Sequence, residues 1–460
     1  MSETLPALHG FRAELRAMVR LALPVVAVQV GWMAMGVVDT IVVGHVSADA
    51  MAAVALGNLL FLAVSIFGMG VLTGLDPVVA QAVGARDDPA VARGVQRGLV
   101  LVLGLTVVST VALLPARPLL IALRQPVEIV PTVVAYAHVA IGGFLPFYVV
   151  VLVRVLLQAT GGVGPLVWAT LAANVLNLAL NWVFVFGHLG MPAYGAVGSS
   201  WATTLARWAL ALFMVAFSWR RLRAQLFPFR PESFALRPLG RILLLGTPIG
   251  IQYELELGIF NVVGLMMGWL GAIPMAANQV ALNIASITFM VPLGVSIAAS
   301  VLVGHAVGRG DAAEARRAAL AALVCGVGFM AMSAIVMLLA PETLARAYTT
   351  DAAVAQLAAT LIPIAGVFQV FDGTQVVSIG VLRGTGDTRT PMLVNVLGYW
   401  VIALPLSAWL GLRTPAGPAG MWWGLVVGLA VVALILVTRV RFRLRGHLRR
   451  VMIDKAPAGA

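Results

Sequence analysis

Five carboxylates fall inside apolar stretches long enough to cross a bilayer: Asp39, Asp76, Glu254, Glu256 and Asp372. An acid in the middle of a membrane helix costs roughly 2.5–3.5 kcal/mol, so it normally faces a polar cavity and takes part in moving an ion or a substrate. The chemistry such groups offer is to hold and release a proton or another cation. Glu254 and Glu256 share one stretch but are two residues apart, about 200° around a helix, so only one can look squarely into a given cavity. Glu256 is the expected one, because Gln252 a turn before it and Phe260 a turn after it complete a face of amide, carboxylate and aromatic ring. Glu254 is then a possible second participant or a packed partner. Asp76 precedes Pro77 near a span end and is the weakest of the five.

Amides accompany the acids. Asn174, Asn177 and Asn181 recur at i, i+3 and i+7 on one face of a predicted helix, and Gln279 and Asn283 at i, i+4 on another. Such stripes either line a site or bond helices to one another at about 0.6–2 kcal/mol each, and spacing leaves both open. Arg207 is the only cation read as clearly internal, with Arg154 at a span end, so the cavity is expected to be acidic and to attract cations.

The elements that hold these residues are membrane helices. The chain has 460 residues, 61% of them hydrophobic and 10% charged, with mean hydropathy +1.00. That describes a polytopic membrane protein rather than a soluble domain. The net charge of +12 lies between apolar runs, where it sets topology and does not imply nucleic acid. The single cysteine, Cys325, excludes an internal disulfide, and the N-terminal stretch does not read as a cleaved leader. Walker A and HExxH motifs are missing and Asp87-Asp88 reads as a solvated loop. The expectation is therefore no enzyme, no metal site and no cofactor beyond a coupling ion.

Apolar runs and turn signals predict twelve spans, starting near residues 18, 52, 99, 128, 164, 195, 241, 274, 316, 352, 391 and 417. Of the 30 Lys and Arg, only Arg117, Arg124, Arg346 and Arg413 fall on the side opposite the N-terminus, and Arg207 inside a span. Both termini are thus expected in the cytoplasm. The polar stretch around residues 220–240 divides an N-lobe (1–219) from a C-lobe (241–441), with a basic tail at 442–460. Linker residues such as Ser233 are expected to be open to the cytoplasm. GVLTGLDPVVAQAVGARD from Gly70 aligns without gaps to GVSIAASVLVGHAVGRGD from Gly294, and Thr160-Gly161 matches Thr385-Gly386. Six spans per repeat make the repeats parallel, related by a pseudo-two-fold axis along the membrane normal, with a site between lobes that rock for alternating access.

Four stretches carry a family likeness: PVVAVQVGWMAMGVVDTIVVG from Pro24, the span with Glu256, AANQVALNIASITFMVPLGVSIAASVLVGHAVGRGD from Ala276, and FDGTQVVSIGVLRGTGDTRTP from Phe371. Together they resemble the MATE (multidrug and toxic compound extrusion) family, in its bacterial NorM-type branch. The resemblance implies a twelve-helix, two-lobe antiporter of a bacterial cytoplasmic membrane. Such a protein exports small, mostly aromatic organic cations in exchange for protons or sodium and works as a monomer. It also implies an N-lobe cation cluster at Asp39, Asn177, Asn181 and Thr203, C-lobe acids at Glu256 and Asp372 with Gln279 and Asn283 beside them, and a bend at Pro24. Phe368 departs from sodium-binding relatives that have a tyrosine there, which leans towards protons. The alternatives are a lipid-intermediate flippase of the same superfamily, expected to present arginines to a pyrophosphate, and an integral membrane transferase.

Overall fold

The computed structural model describes residues 10–446 and 448–454, and among these every regular element is helical. In the first half the helices are α1 (Phe11–Gly44), α2 (Ala48–Thr73), α3 (Leu75–Gly84), α4 (Asp88–Leu113), α5 (Ala116–Ala122), α6 (Val130–Ile141), α7 (Phe144–Ala159), α8 (Gly164–Phe186) and α9 (Gly195–Leu226). The second half contains α10 (Leu236–Leu270), α11 (Ala272–Arg309), α12 (Ala312–Leu339), α13 (Pro341–Tyr348), α14 (Ala352–Gly384), α15 (Arg389–Asn395), a π-helical stretch (Val396–Ala403), α16 (Leu404–Arg413) and α17 (Gly417–Arg445). Eleven spans are long and apolar enough to cross a membrane, and α6 with α7, bent by 45° at Gly142-Gly143, makes the twelfth. The protein is a multi-pass, all-helical membrane protein.

The internal repeat has a physical basis at its boundaries. Asp87 accepts a hydrogen bond from Ala90 N (3.0 Å) and caps α4; Asp311, its partner in the repeat, accepts one from Glu314 N (2.8 Å) and caps α12. The preceding residues, Arg86 and Gly310, both take positive φ, the left-handed turn that ends the helix before. Asp87 is thus a helix cap, and it also pairs with Arg450 at 2.9 Å. The short helices α5 and α13 occupy matching places in the two halves.

The two lobes interlock at one end, the end that carries the linker and the described tail. Met18, Leu21, Ala22 and Val25 of α1 pack into the apolar cluster of the C-lobe, while Leu239 and Ile242 of α10 pack into that of the N-lobe. Backbones meet closely where side chains are absent: a methyl at Gly74 would collide with Gly246, and one at Gly70 with Gly250. Gln81 Nε2 donates to Gly384 O (2.9 Å), and His305 Nε2 lies 2.8 Å from Ala159 O. The tail continues this closure. Asp454 accepts from Arg93 Nε (2.7 Å) and Arg97 Nη2 (2.5 Å) of α4, Val451 N donates to Gln81 Oε1 (2.7 Å), and Ile453 joins the N-lobe core. Among the described residues the hydrogen bonds and ion pairs between the lobes lie at this end.

The linker is shorter and better ordered than its polarity suggests, because α9 continues to Leu226 and a 3-10 turn occupies Pro231–Phe234. Gln96 organises it. Its Nε2 donates to the carbonyls of Gln225, Leu226 and Pro228, and its Oε1 accepts from Arg230 N and Ser233 Oγ. Ser233 is consequently fully buried, contrary to the expectation of an open linker residue.

Candidate functional site

In the N-lobe, α1, α8 and α9 bring three of the expected residues together around a fourth, Asp39. Thr203 Oγ1 donates to Asp39 Oδ2 (2.6 Å). Asn181 Nδ2 and Asn177 Nδ2 donate to Oδ1 (2.7 and 3.2 Å), and Asn177 Nδ2 also reaches Thr203 Oγ1 (3.3 Å). All four residues are buried. Their order follows from periodicity, since Asn177 and Asn181 are one turn apart on α8 and face α1. Asn174, on the same stripe, instead bonds back to Thr170 O (2.9 Å). With the donors committed to Asp39, Asn177 Oδ1 and Asn181 Oδ1 are buried without a hydrogen-bond partner. As placed, three donors face the Asp39 carboxylate, and the unpartnered oxygens lie on the far side of each amide. Arg207, one turn after Thr203, stacks on Phe61 with its Cζ 3.8 Å from the ring centre and is in electrostatic reach of Asp39.

In the C-lobe, Glu256 is the centre. Three amides converge on its Oε1: Gln252 Nε2 from the same helix (3.0 Å), Gln375 Nε2 from α14 (3.1 Å) and Asn395 Nδ2 from α15 (2.5 Å). Asp372 is buried, Glu256 is half-buried, and the two are in electrostatic reach of each other. Gln252 and Phe260 lie on the face the spacing assigned to them, and Phe260 packs edge-on against Phe368 (6.1 Å) and Tyr399 (6.5 Å). Gln279 and Asn283 do not join this group: the first is exposed, the second half-buried, and among the described residues neither is hydrogen-bonded to the acids. The amides that reach Glu256 from other helices are Gln375 and Asn395. Gln375 had a signal, since it stands one turn after Asp372; Asn395 had none.

Phe368 is buried and stacks edge-on with Trp422 (5.6 Å). A hydroxyl does come from the next span. Tyr399, in the π-helical stretch, donates to Gln375 Oε1 (2.9 Å) and is in electrostatic reach of Asp372 and Glu256. A π turn rotates the backbone off the regular helical register and is common at functional sites. Here it delivers Tyr399 to the acids and Trp400 Nε1 to Leu255 O (3.3 Å).

Glu254 points away from this group and lies beside the Phe67 backbone of α2, at the seam between lobes, with its Oε1 buried and unpartnered. Pro24 sits inside α1, which runs unbroken through it to Gly44; proline there removes one backbone donor and frees the carbonyl of Arg20. Asp76 is buried at the seam, its Oδ2 4.0 Å from Arg383 Nη1. The reading of Arg207 as the only clearly internal cation is corrected here, because Arg154 and Arg383 are also buried between the lobes. Both sit near span ends in sequence, and the crossing of the lobes covers them.

A fold of twelve spans in two parallel repeats is a transporter architecture. The MatE family model matches residues 24–183 and 248–409, and the chain belongs to that family. It is 38% identical over 452 residues to a protein of Burkholderia vietnamiensis named "Multidrug resistance protein NorM", covering 95% of each chain. Among solved structures it superposes on the eukaryotic MATE transporter AtDTX14 with a TM-score of 0.85 at 20% identity, covering 94% of this chain and 96% of that one. It also superposes on the "outward-facing conformation of a multidrug resistance MATE family transporter of the MOP superfamily", with a TM-score of 0.84 at 21% identity over 96% and 97% of the two chains.

Proposed function

We propose that the protein is a multidrug efflux transporter of a bacterial cytoplasmic membrane. It exports small aromatic organic cations as a monomer, in exchange for protons or sodium, by alternating access of its two lobes. The observation that carries this reading is the pairing of one acid site per lobe, around Asp39 and around Glu256 with Asp372, in lobes that bond to each other at the linker end. The arginine-rich linker and tail support a cytoplasmic position for that end. Drug and coupling ion compete for the same carboxylates: the bound cation favours release of the proton or sodium, and the ion's return favours release of drug. Such reciprocity is the thermodynamic basis of antiport. The name carried by the relative from Burkholderia vietnamiensis supports a multidrug substrate range.

The lipid-intermediate flippase is kept as the second reading because Arg154 and Arg383 are buried between the lobes. Expression in an efflux-deficient bacterium separates the two. Lowered accumulation of a fluorescent organic cation is expected, with loss of the effect in Glu256→Gln. Unchanged accumulation at full membrane expression would favour the flippase.

A further inference from the structure

A second cavity, of about 760 Å³, opens at the linker end of the N-lobe between α4, α7, α9 and the linker, and none of the site acids lines it. Its charged walls are Arg220 and Arg221 of α9, Arg230 of the linker and Asp88 at the start of α4. Three cations against one anion leave a surplus of two positive charges. Asp87, the next residue back, adds nothing to the count because it pairs with Arg450 (2.9 Å). Arg220 and Arg221 are exposed, and among the described residues neither guanidinium makes a hydrogen bond or ion pair.

The walls are held by the protein itself. Gln96 also lines the cavity, and its amide is committed to the linker through the bonds to Gln225, Leu226, Pro228, Arg230 and Ser233. Arg230 Nη1 donates across to Pro89 O (3.4 Å). Arg221 lies against the turn after α7, where a methyl at Gly162 would collide with its guanidinium. A volume of this size falls within the roughly 300–1,000 Å³ range of ligand pockets. Adjacent guanidiniums with free donors match the paired oxygens of a phosphate group.

The helix that carries these arginines also says where the ligand comes from. Trp219, directly before Arg220, is 45% exposed, as an indole at the edge of the hydrocarbon is. Phe213 and Phe217 are 38% and 64% exposed with their rings 6.4 Å apart. Together with Arg220 and Ala224 they recur at i, i+4, i+7 and i+11, along one side of α9. An apolar stripe open to lipid thus runs into the mouth of an arginine-lined cavity, and Phe227 at that mouth is 60% exposed. A free phosphate would leave the stripe unused, whereas a lipid uses both parts.

We propose that this cavity binds the headgroup of an anionic phospholipid of the leaflet on the linker side, its phosphate on Arg220 and Arg221 and its chains along Phe213 and Phe217. Basic pockets between membrane helices on the cytoplasmic side suit such headgroups. The surplus of two charges matches a headgroup that carries two negative charges, as in diphosphatidylglycerol (cardiolipin). The inference does not depend on the transport reading.

Lipid retained by the purified full-length protein is counted by native mass spectrometry, with cardiolipin and phosphatidylcholine of the same oleoyl chains as probes. The wild type is expected to hold cardiolipin in preference to phosphatidylcholine. Arg220→Gln with Arg221→Gln should weaken cardiolipin by about twentyfold, about fivefold for each arginine, and the double lysine variant should lose less. Should the double variant not fold, Arg221→Gln alone should show the about fivefold loss. Arg441→Gln with Arg445→Gln removes the same charge from exposed arginines of α17 outside the cavity, and should change cardiolipin binding by less than about twofold. Inorganic pyrophosphate, charged but without chains, should leave cardiolipin bound when added at the lipid's concentration. Its displacement of cardiolipin would show a free-phosphate site and overturn the lipid assignment. Equal retention of the two lipids by the wild type, or equal losses in the α9 and α17 double variants, would overturn the site.

Discussion

Asp454→Asn isolates the contacts by which the tail holds the closed end. Asp454 bonds Arg93, whose side chain is 22% exposed, and Arg97, which is 3% exposed. An exposed pair such as the first contributes about 0.2–1 kcal/mol, and a charge-assisted bond to a buried partner about 1.5–3 kcal/mol. Asp454 itself is 40% exposed, so water replaces part of what is lost, and a total near 1–2 kcal/mol is the reasonable figure. Because these bonds join the C-terminal tail to α4, their loss should favour opening at this end by about five- to thirty-fold in population.

The assay is labelling of Ala80→Cys in a Cys325→Ala background. Ala80 is fully buried and lies against Gly304 of the other lobe. With Asp454→Asn added, an impermeant maleimide applied to everted vesicles should react faster. The pH dependence has a definite sign. Burial works against the Asp454 charge, but the hydrogen bonds and charges of Arg97 and Arg93 outweigh it and hold the carboxyl below its usual range. A lowered value means that the contribution is complete above the free carboxyl's pKa and is lost as pH falls through the lowered one. The strap is therefore intact at neutral pH and loosens only in acid. Labelling that is the same with and without Asp454 at neutral pH would refute the assignment.

Asp39→Asn, Glu256→Gln and Asp372→Asn should each cut export by at least about tenfold at normal membrane expression, measured as resistance to an organic cation, and Glu254→Gln should be milder because it faces the seam. Asn395→Ala removes the 2.5 Å bond to Glu256; with Gln252 and Gln375 still in place, drug affinity should fall by about 1–2 kcal/mol, read by direct binding. Leu236→Cys, 84% exposed beside the linker, should label from the cytoplasmic side and Ala272→Cys, at the start of α11, from outside. Ser233 is unsuitable because it is buried.

Periodicity carried most of the fold, since each of the twelve spans begins within about a dozen residues of the start read from hydropathy. The N-lobe set was legible because Asn177 and Asn181 share a helical face and family likeness added Thr203. The 200° argument also separated Glu256 from Glu254. The C-lobe amides were less legible: Gln279 and Asn283 have the right spacing on α11, but among the described residues neither bonds the acids, and the amides that do come from other helices. Asn395 and Tyr399 depend on the register of a π-helical stretch, and nothing in the local composition of VLGYWVIA marks it. Arg154 and Arg383 read as topology charges near span ends, and only the exchange of α1 and α10 between the lobes buries them.

The central claim is that buried carboxylates couple a cation gradient to drug export, and transport by the purified protein in liposomes tests it most directly. One pH unit is worth about 1.4 kcal/mol, equivalent to roughly a tenfold drug gradient per proton exchanged. In sodium-free proteoliposomes an imposed pH gradient is expected to drive uphill movement of an organic cation that stops when the gradient is collapsed. If an imposed sodium gradient drives it instead, the coupling ion is sodium and Tyr399 becomes the first hydroxyl to test as its ligand. Uphill movement that neither gradient drives, or that persists in Asp39→Asn combined with Glu256→Gln and Asp372→Asn, would contradict the account.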